Sequence, residues 1–374
     1  GFFLEDPIIR NQPATDRDFS PTAAALLMTN RCNLRCIYCY ANGGEEDGLD
    51  MTLSSAIKAI DVVSNNAIKK NRNFFHLTFH GGGEPTLNWE VLVAATSYAK
   101  QKSIPVRTCL VSNGIWSQTQ FEWISRQIDE ITISMDGNQP TQDYQRPFSN
   151  GTGSFQHVIK TITDLDKISF PYHIRVTVTP ERFSHLKEDI TFLCKETRCK
   201  SIQIEPAFNR RRGIHQESTT DENERFADAF LEAWDVAQAS TTNLYYSGAR
   251  PWLVTDVFCE APFGQSLTVN AKGEVVGCYE MTGREIKNEE TSVFGYENDL
   301  GFLVDEDKRV RLMEQIEHRK DRCDKCFCRW HCAGDCYTRG FPVKNGKWPY
   351  SRCEINRKIT MGLIIRSIAS QSTL

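Results

Sequence analysis

The sequence has no long apolar run and no excess of charge of one sign. None of its 374 residues lies in a stretch approaching the roughly 20 apolar residues that cross a bilayer, and no secretory signal pattern opens the chain. The 44 basic and 48 acidic residues nearly cancel, so no net field draws the protein to nucleic acid or to an anionic membrane. These absences predict a cytoplasmic protein that binds neither nucleic acid nor membrane.

Cysteine, by contrast, is abundant. The chain has 14 cysteines, and most of them occur at short spacings typical of metal ligands. A disulfide framework is the alternative, but it suits short secreted chains, and this chain is long and has no secretory leader. The cysteine pattern therefore favours metal binding.

The first half of the chain alternates between strand-like apolar runs and amphipathic stretches of helical period. Such alternation predicts βα units and a parallel sheet. The six predicted strands are 23–28, 74–79, 106–111, 130–135, 173–178 and 201–204. The clearest predicted helices are 54–69, 89–100, 155–165 and 222–239. Six units make an incomplete, TIM-like (β/α)6 barrel, open on one side, over residues 22–240.

Three cysteines follow the first predicted strand, at Cys32, Cys36 and Cys39. One tight loop can therefore bring three thiolates to one point, at the strand ends where barrels hold their active sites. A four-iron cluster takes a ligand at each of four corners, so one iron is left without a protein ligand. An incomplete ligand set indicates chemistry, because structural zinc sites are normally closed by four ligands.

The cysteine loop resembles the signature of the radical S-adenosylmethionine (SAM) enzymes, including the aromatic Tyr38 before the third cysteine. The resemblance implies that SAM chelates the open iron and is cleaved to a 5′-deoxyadenosyl radical. Later segments resemble the family's SAM-binding motifs, in order, at successive strand ends. The residues that match these motifs are Gly82, Gly83 and Glu84 for the SAM amino group, Ser112 and Asn113 for the ribose, and Ser134 and Arg146 for the carboxylate.

Two acidic residues near these motifs leave alternatives open. Asp136 follows Ser134 in a turn, where an Asp often bonds its own backbone. Glu205, after the sixth strand, points to the same end of the barrel, where it could contact SAM or substrate. The basic run 210–212 is either a solvated loop or a contact for an acidic peptide.

A second group of cysteines resembles the SPASM extension of radical SAM enzymes that modify peptides and proteins. The resemblance implies two auxiliary four-iron clusters, hence three [4Fe-4S] clusters in all. The first auxiliary cluster would be held by Cys259, Cys278 and Cys336, and the second by Cys323, Cys326, Cys332 and Cys353. The first set is one ligand short, because Gln265 stands where sulfatase-maturating relatives have a further Cys; Cys328 is the spare candidate. A pair of structural zinc sites is the alternative for these cysteines.

The predicted organisation is an N-terminal extension at 1–21, the barrel at 22–240, the SPASM domain at 241–356 and a C-terminal helix or tail at 357–374. Many relatives begin with a leader-binding domain of roughly 80 residues. Only about twenty residues precede the first predicted strand here, so a separate leader-binding protein is one expected partner.

The resemblance implies a radical SAM oxidoreductase that acts on a ribosomally made precursor peptide and forms a crosslink, of the carbon-carbon cyclophane type or a thioether. An external reductant of flavodoxin or ferredoxin type would supply electrons. Glu280, just after Cys278, is the candidate acid or base; the alternative is an exposed strand residue. Formylglycine formation by a sulfatase-maturating type of enzyme and a non-catalytic zinc scaffold are the other functions considered.

Overall fold

Strands and helices alternate through most of the chain, as the sequence predicts. The computed structural model describes residues 19–45, 48–207, 209–212, 214–215, 218–280, 292–339 and 351–371. The strands are β1 Ala23–Leu27, β2 Phe75–His80, β3 Val106–Ser112, β4 Glu130–Ser134, β5 Tyr172–Val178, β6 Ser201–Pro206, β7 Asn209–Arg211, β8 Ile214–His215, β9 Asn243–Tyr245, β10 Ser266–Val269, β11 Glu274–Val276, β12 Val293–Asn298 and β13 Gly301–Val304. The helices are α1 Leu53–Lys69, α2 Trp89–Lys100, α3 Gln118–Gln127, α4 Gln139–Gln145, α5 Phe155–Lys167, α6 Leu186–Glu196, α7 Thr220–Ala239, α8 Glu306–His318, α9 Arg329–Cys332 and α10 Ser351–Gln371. The six predicted strands and four predicted helices are confirmed.

The main sheet is mostly parallel and is not closed into a ring. Strands β1 to β6 lie side by side in chain order, and β9 follows β6 in the same direction. On the other side β10 pairs with β1 in parallel, and β11, β12 and β13 follow as antiparallel strands. Because β9 and β13 are the two ends of the strand order, the sheet has open edges. The predicted partial barrel is confirmed.

The two faces of this sheet differ in burial. On β5, Ile174 and Val176 are fully buried and belong to the core under the helices. The alternate residues His173, Arg175 and Thr177 are only partly buried. Because successive side chains of a strand point to opposite faces, these three lie on the inner face, which we call the lumen. The lumen of a closed barrel is packed with branched apolar side chains; here it is polar and partly open.

The cysteine-rich region shares the sheet of the barrel. The parallel pairing of β10 with β1 carries the sheet across the predicted boundary at residue 240, which stays a prediction. The β12–β13 hairpin also returns to α1, where Lys58 Nζ lies 2.8 Å from Glu297 Oε1. The predicted N-terminal extension falls mostly outside the described residues. No helix that the structure describes has the length and apolar content to span a bilayer.

A buried ion network joins the C-terminal helix to the barrel. The helix α10 begins at Ser351, before the predicted start of a C-terminal helix, and includes Cys353. Arg352 Nε donates to Asp335 Oδ2 at 2.6 Å, and its Nη1 lies 3.7 Å from Glu205 Oε2 on β6. Burial opposes the charge of Arg352, yet Asp335, Tyr246 and Glu205 hold the pKa of Arg352 well above its usual range. The network therefore depends on a charged guanidinium.

Candidate active site

The loop that carries Cys32, Cys36 and Cys39 follows β1; we call residues 30–44 the cluster loop. Two backbone ladders hold it at the strand ends. On one side Glu84 N donates to Arg31 O at 2.8 Å, and on the other Ile37 N donates to Gln145 O at 3.0 Å. The loop is thus fixed between the glycine-rich turn after β2 and the end of α4.

The glycines of that turn are required by close backbone approach. A Cβ placed on Gly83 would lie 1.9 Å from the carbonyl oxygen of Arg31, which no side chain can accommodate. On the cluster loop itself, a Cβ on Gly43 would lie 2.8 Å from the carbonyl oxygen of Gly82. Glycine at these positions therefore lets the turn and the cluster loop pack backbone to backbone.

The three cysteines of the cluster loop interact electrostatically, as a shared ligand set requires. Burial, followed by the neighbouring Cys36, raises the pKa of the Cys32 thiol to about 12, and Cys39 adds to this shift. Burial also raises the pKa of Cys36 to about 11, while the Arg146 guanidinium opposes the rise. Without a cation to bind, these thiols are neutral at pH 7, and a bound iron cluster would compensate the thiolate charge.

A buried polar triad lies behind Cys36. The hydroxyl of Tyr38 donates to Asp136 Oδ2 at 2.6 Å and accepts from Arg146 Nη1 at 2.7 Å. Asp136 also accepts from the backbone of Thr177 at 2.9 Å, so the predicted alternative of a local turn bond is wrong. The triad fixes Arg146, which sequence reasoning assigned to the SAM carboxylate, beside the cluster loop.

The residues assigned to the SAM carboxylate retain unused donors. Arg146 is 8% exposed, and its Nε has no hydrogen-bond partner within the described segments. On β4, the Ser134 hydroxyl has no hydrogen-bond partner among the described residues. A buried guanidinium nitrogen without a partner is costly, and an anionic ligand would satisfy it. The donors present therefore fit the carboxylate of SAM.

The other motif residues hold the loops together. Buried Glu84 accepts from Ser112 Oγ and from the backbone of Asn113, each at 2.8 Å. Asn113 Nδ2 in turn donates to Asn33 Oδ1 on the cluster loop at 2.7 Å. Burial raises the pKa of Glu84, although these hydrogen bonds oppose the rise. Glu84 thus links the glycine-rich turn to the predicted ribose-binding turn.

Sequence reasoning missed Arg212 as a part of this site. One prediction for the basic loop after β6 is a solvated loop. Instead, the Arg212 side chain donates to Cys36 O at 3.0 Å and to Gly43 O at 2.8 Å, and it pairs with Glu45. Its positive charge opposes the burial-driven rise in the pKa of Cys36. The signal in the sequence was the arginine run itself, which has no characteristic spacing.

Replacing Arg212 by alanine is expected to loosen the cluster loop. Two carbonyl oxygens would lose their donors and the cluster thiolates a nearby cation, and loss of such outer partners costs about 10-fold or more in metal affinity. Iron release from the reconstituted protein to a chelator, under anaerobic conditions, should be faster by a similar factor. Arg225→Ala is the matched control, because Arg225 lies on α7 and contacts Pro180 O at 3.3 Å and Asp221 at 3.7 Å, away from the cluster loop. Equal release rates in the two variants would contradict this role of Arg212.

The C-terminal cysteines form two neighbourhoods that match the predicted ligand sets. In the first, burial, followed by Glu280 and Cys336, raises the pKa of Cys278, and Cys259 contributes as well. The hydroxyl of Thr338 lies 3.1 Å from Cys336 Sγ and 4.0 Å from Cys278 Sγ. Gln265, where relatives have a further Cys, is exposed.

In the second neighbourhood, neighbouring thiols act on one another's pKa: Cys326 acts on Cys323, Cys323 on Cys353, and Cys353 on Cys332. Asn356 Nδ2 donates to Cys332 Sγ at 3.2 Å. Cys328, the spare candidate for the first set, interacts with Cys326 of the second set. Its contacts therefore place it with the second ligand set.

All fourteen cysteines are free thiols, which rules out the disulfide framework. Among the described residues, no three His, Cys, Asp or Glu side chains converge closely enough to hold a single metal ion. Structural zinc at the C-terminal cysteines stays the alternative prediction, which the iron and zinc contents of the purified protein test.

The first auxiliary neighbourhood and the cluster loop face the same part of the lumen. Tyr40 joins them: burial raises the pKa of Tyr40, and the next contributors are Glu280 and Cys39, with Cys278 also adding. Glu280 lies beyond the end of β11 and is partly buried, and its backbone N–H donates to Cys278 Sγ at 3.4 Å. The alternative that Glu280 is an exposed strand residue is wrong.

Both carboxylate oxygens of Glu205 interact with other residues of the protein. Its Oε1 accepts from Gln203 Nε2 at 3.0 Å and from Ser247 N at 3.1 Å, and its Oε2 faces Arg352. It is 8% exposed. The structure thus assigns Glu205 to the network that joins barrel and C-terminal helix.

Comparison with known proteins gives concordant results. Residues 26–193 match the family model of the radical SAM superfamily. An uncharacterised protein of Methanocaldococcus jannaschii, MJ0907, is 32% identical over 45% of this chain, and the match spans 57% of that protein. The radical SAM cyclopropyl synthase TigE of Paramaledivibacter caminithermalis is 21% identical over 84% of this chain and 67% of its own length. A serine-type anaerobic sulfatase-maturating enzyme of Klebsiella aerogenes is 22% identical over 82% of this chain and 76% of its own length.

The fold is shared with a solved structure, native anSMEcpe with bound AdoMet and the Kp18Cys peptide. That structure has a TM-score of 0.74 and 16% identity, and the alignment covers 94% of this chain and 99% of the other. At this identity the likeness concerns the fold. Residues 26–193 therefore form a radical SAM domain, and the fold of the chain is that of anSMEcpe.

Proposed function

We propose that this protein is a peptide-modifying radical SAM enzyme that oxidatively crosslinks a residue of a ribosomally made peptide. The observation that carries the proposal is that Tyr40 feels the charge of both Cys39 on the cluster loop and Cys278 of the first auxiliary set, which puts the two sets near one buried side chain. A substrate in the lumen lies between a site that starts radical chemistry and a site that can accept an electron. Net oxidation of a substrate requires both.

The donor sets define which residues hold each cofactor. Cys32, Cys36 and Cys39 would bind the family's [4Fe-4S] cluster, with Ser134 and Arg146 as donors to the SAM carboxylate. SAM at this cluster supplies a 5′-deoxyadenosyl radical, the family's means of removing a hydrogen atom from an unactivated carbon. Two auxiliary clusters on the C-terminal cysteines complete the proposal, and Thr338 would be a hydrogen-bond donor to the sulfurs of the first.

The chain's own residues then position the substrate and move a proton. Glu280 lies beside Cys278 and Tyr40, at the junction of the lumen and the first auxiliary set. A carboxylate at this place can accept the proton that a substrate loses when it is oxidised. Arg146 and Tyr38, fixed by buried Asp136, keep the cluster loop and the SAM donors in one orientation.

Formylglycine formation is a second candidate. It is favoured by the similarity to the Klebsiella aerogenes sulfatase-maturating enzyme, which extends over 82% of this chain. Both candidates use the same radical generator and differ in the bond that the oxidised carbon forms. Formylglycine is an aldehyde, whereas a crosslink closes a ring and carries no carbonyl of that kind.

The test is coexpression with the peptide encoded beside the gene, together with a source of reduced flavodoxin or ferredoxin. The peptide is expected to lose two hydrogens by mass spectrometry, to give no product with a hydrazide probe and to show a ring in its fragmentation. A hydrazide adduct would establish the formylglycine alternative instead. SAM cleavage to 5′-deoxyadenosine by the reduced holoenzyme, measured without peptide, is the control. Its absence from a protein with full iron content would overturn the proposal.

A further inference from the structure

Arg175 lies at the centre of the lumen, between neutral neighbours. On β5 it is in register with Ser134 of β4 and with Gln203 of β6. Paired residues of parallel strands point to the same face, so all three side chains lie on the lumen face. The guanidinium is only partly buried and is open to whatever enters the lumen.

The carboxylates of this region are engaged elsewhere. On β4, Glu130 lies 3.0 Å from His173 Nε2, and on β6 Glu205 faces Arg352. Glu280 lies beside Tyr40 and Cys278. Within the part of the chain that the structure describes, no carboxylate forms an ion pair with Arg175. Among these described side chains, Arg175 is therefore a lumen guanidinium without an anionic partner.

Several aromatic side chains lie within the electrostatic reach of Arg175. Its charge acts on Tyr40, Tyr245 and Tyr279, and together with burial it lowers the pKa of His80 to about 4, which keeps that imidazole neutral. The rings of His80 and Tyr279 are in contact, with centroids 5.1 Å apart. A guanidinium bordered by aromatic rings is weakly hydrated and presents a planar fork of donors, which matches a carboxylate.

We propose that Arg175 binds a carboxylate of the substrate peptide, supplied either by an acidic side chain or by the peptide's C-terminus. The inference rests on the proposed peptide substrate and adds one property of that peptide: the modified residue lies close to a carboxylate group of the peptide. Because Arg175 is in register with Ser134 and its charge acts on Tyr40, which also responds to Cys39 and Cys278, an anchored carboxylate would hold the adjoining residues of the peptide near both sites.

The test uses immobilised, anaerobically reconstituted holoenzyme with SAM bound, and three pools of N-acetylated pentapeptides. One pool carries Asp or Glu and a C-terminal amide, the second has neutral side chains and a free C-terminal carboxylate, and the third is neutral with a C-terminal amide. Retention is measured by mass spectrometry. One of the acidic pools is expected to be retained about tenfold better than the neutral amide pool, as a charge-assisted pair allows. Which pool is retained identifies the source of the carboxylate.

Arg175→Gln is expected to abolish this preference, and Arg175→Lys to keep part of it. Arg107→Gln is the matched control, because Arg107 lies at the other end of the inner face of β3, stacked over the Phe74 ring at 4.1 Å. Iron content and peptide-free SAM cleavage should be unchanged in Arg175→Gln. The inference would be overturned if Arg175→Gln lowered peptide-free SAM cleavage. It would also be overturned if the wild type retained all three pools equally. If the wild-type holoenzyme cleaves no SAM, the proposed function fails as well; if it cleaves SAM and retains no pool, only Arg175 is misassigned.

Discussion

Cys36→Ser is expected to abolish SAM cleavage. A serine hydroxyl is a poor ligand for iron, and the other two cysteines of the cluster loop cannot hold a cube whose fourth iron must stay open for SAM. Since even outer partners of metal ligands change affinity by about 10 to 100-fold, loss of a ligand should reduce 5′-deoxyadenosine formation to below about a hundredth of the wild-type rate. Iron content should fall by the share of one cluster, while the C-terminal cysteines keep theirs.

Cys194→Ser is the matched control for that experiment. Cys194 lies on α6, packed against the core under the sheet and away from both groups of ligand cysteines. Its replacement should leave iron content and SAM cleavage close to wild type. If Cys194→Ser lost as much activity as Cys36→Ser, the effect would reflect general loss of folding and the assignment of the cluster loop would lose its support.

Arg352→Met is expected to destabilise the protein and to release iron from the C-terminal cysteines. The substitution leaves Asp335 buried without the guanidinium that lies 2.6 Å away, and uncompensated buried charges of this kind cost about 3–5 kcal/mol. Asp335 precedes Cys336, and Arg352 precedes Cys353, so one ligand of each proposed auxiliary cluster should be displaced. The thermal unfolding midpoint of the reconstituted protein and its iron content report the two effects.

Two further variants separate charge from packing. Asp335→Asn combined with Arg352→Met removes both charges, and it should recover part of the lost stability. Arg366→Met removes an arginine from the same helix, but its pair with Asp235 is exposed, with Nε and Oδ1 2.7 Å apart, and it should change stability by about 1 kcal/mol or less. If Arg352→Met were no more destabilising than Arg366→Met, the buried network would not join the helix to the barrel.

The strands, the helices and the order of the motifs could be predicted from the sequence because each is a local pattern. Strands β2 and β3 carry buried residues at alternate positions, and α2 begins and ends at the predicted residues. The cluster loop places three cysteines within eight residues, so its ligand set needs no knowledge of the rest of the chain. The glycine-rich and acidic motifs directly follow predicted strands. Because parallel strands bring their ends to one edge of the sheet, the sequence also predicts that these motifs lie together.

Contacts between distant segments could not be predicted in this way. The pairing of β10 with β1 joins residues far apart in the chain, and nothing in the short run at Ser266 to Val269 names its partner strand. Arg212 belongs to a run of arginines that is typical of an exposed loop, yet it reaches the backbone of the cluster loop. Glu205 has the strand-end position of a ligand contact, and Arg352 engages it from a helix far along the chain.

The sequence by itself determined which chemistry to expect: three closely spaced cysteines, motifs that resemble SAM-binding segments in family order, and further cysteines at spacings that resemble SPASM. For the cluster loop, spacing alone is enough, because its three cysteines lie within eight residues. Only the tertiary structure decided what surrounds that chemistry. The shared lumen, the Arg352 network that anchors the C-terminal helix and Arg175, which has no ion-pair partner among the described residues, all depend on which side chains the fold brings together. Burial and charge, which exist only in the folded chain, then determine whether each of these side chains is satisfied within the protein or remains available to a ligand.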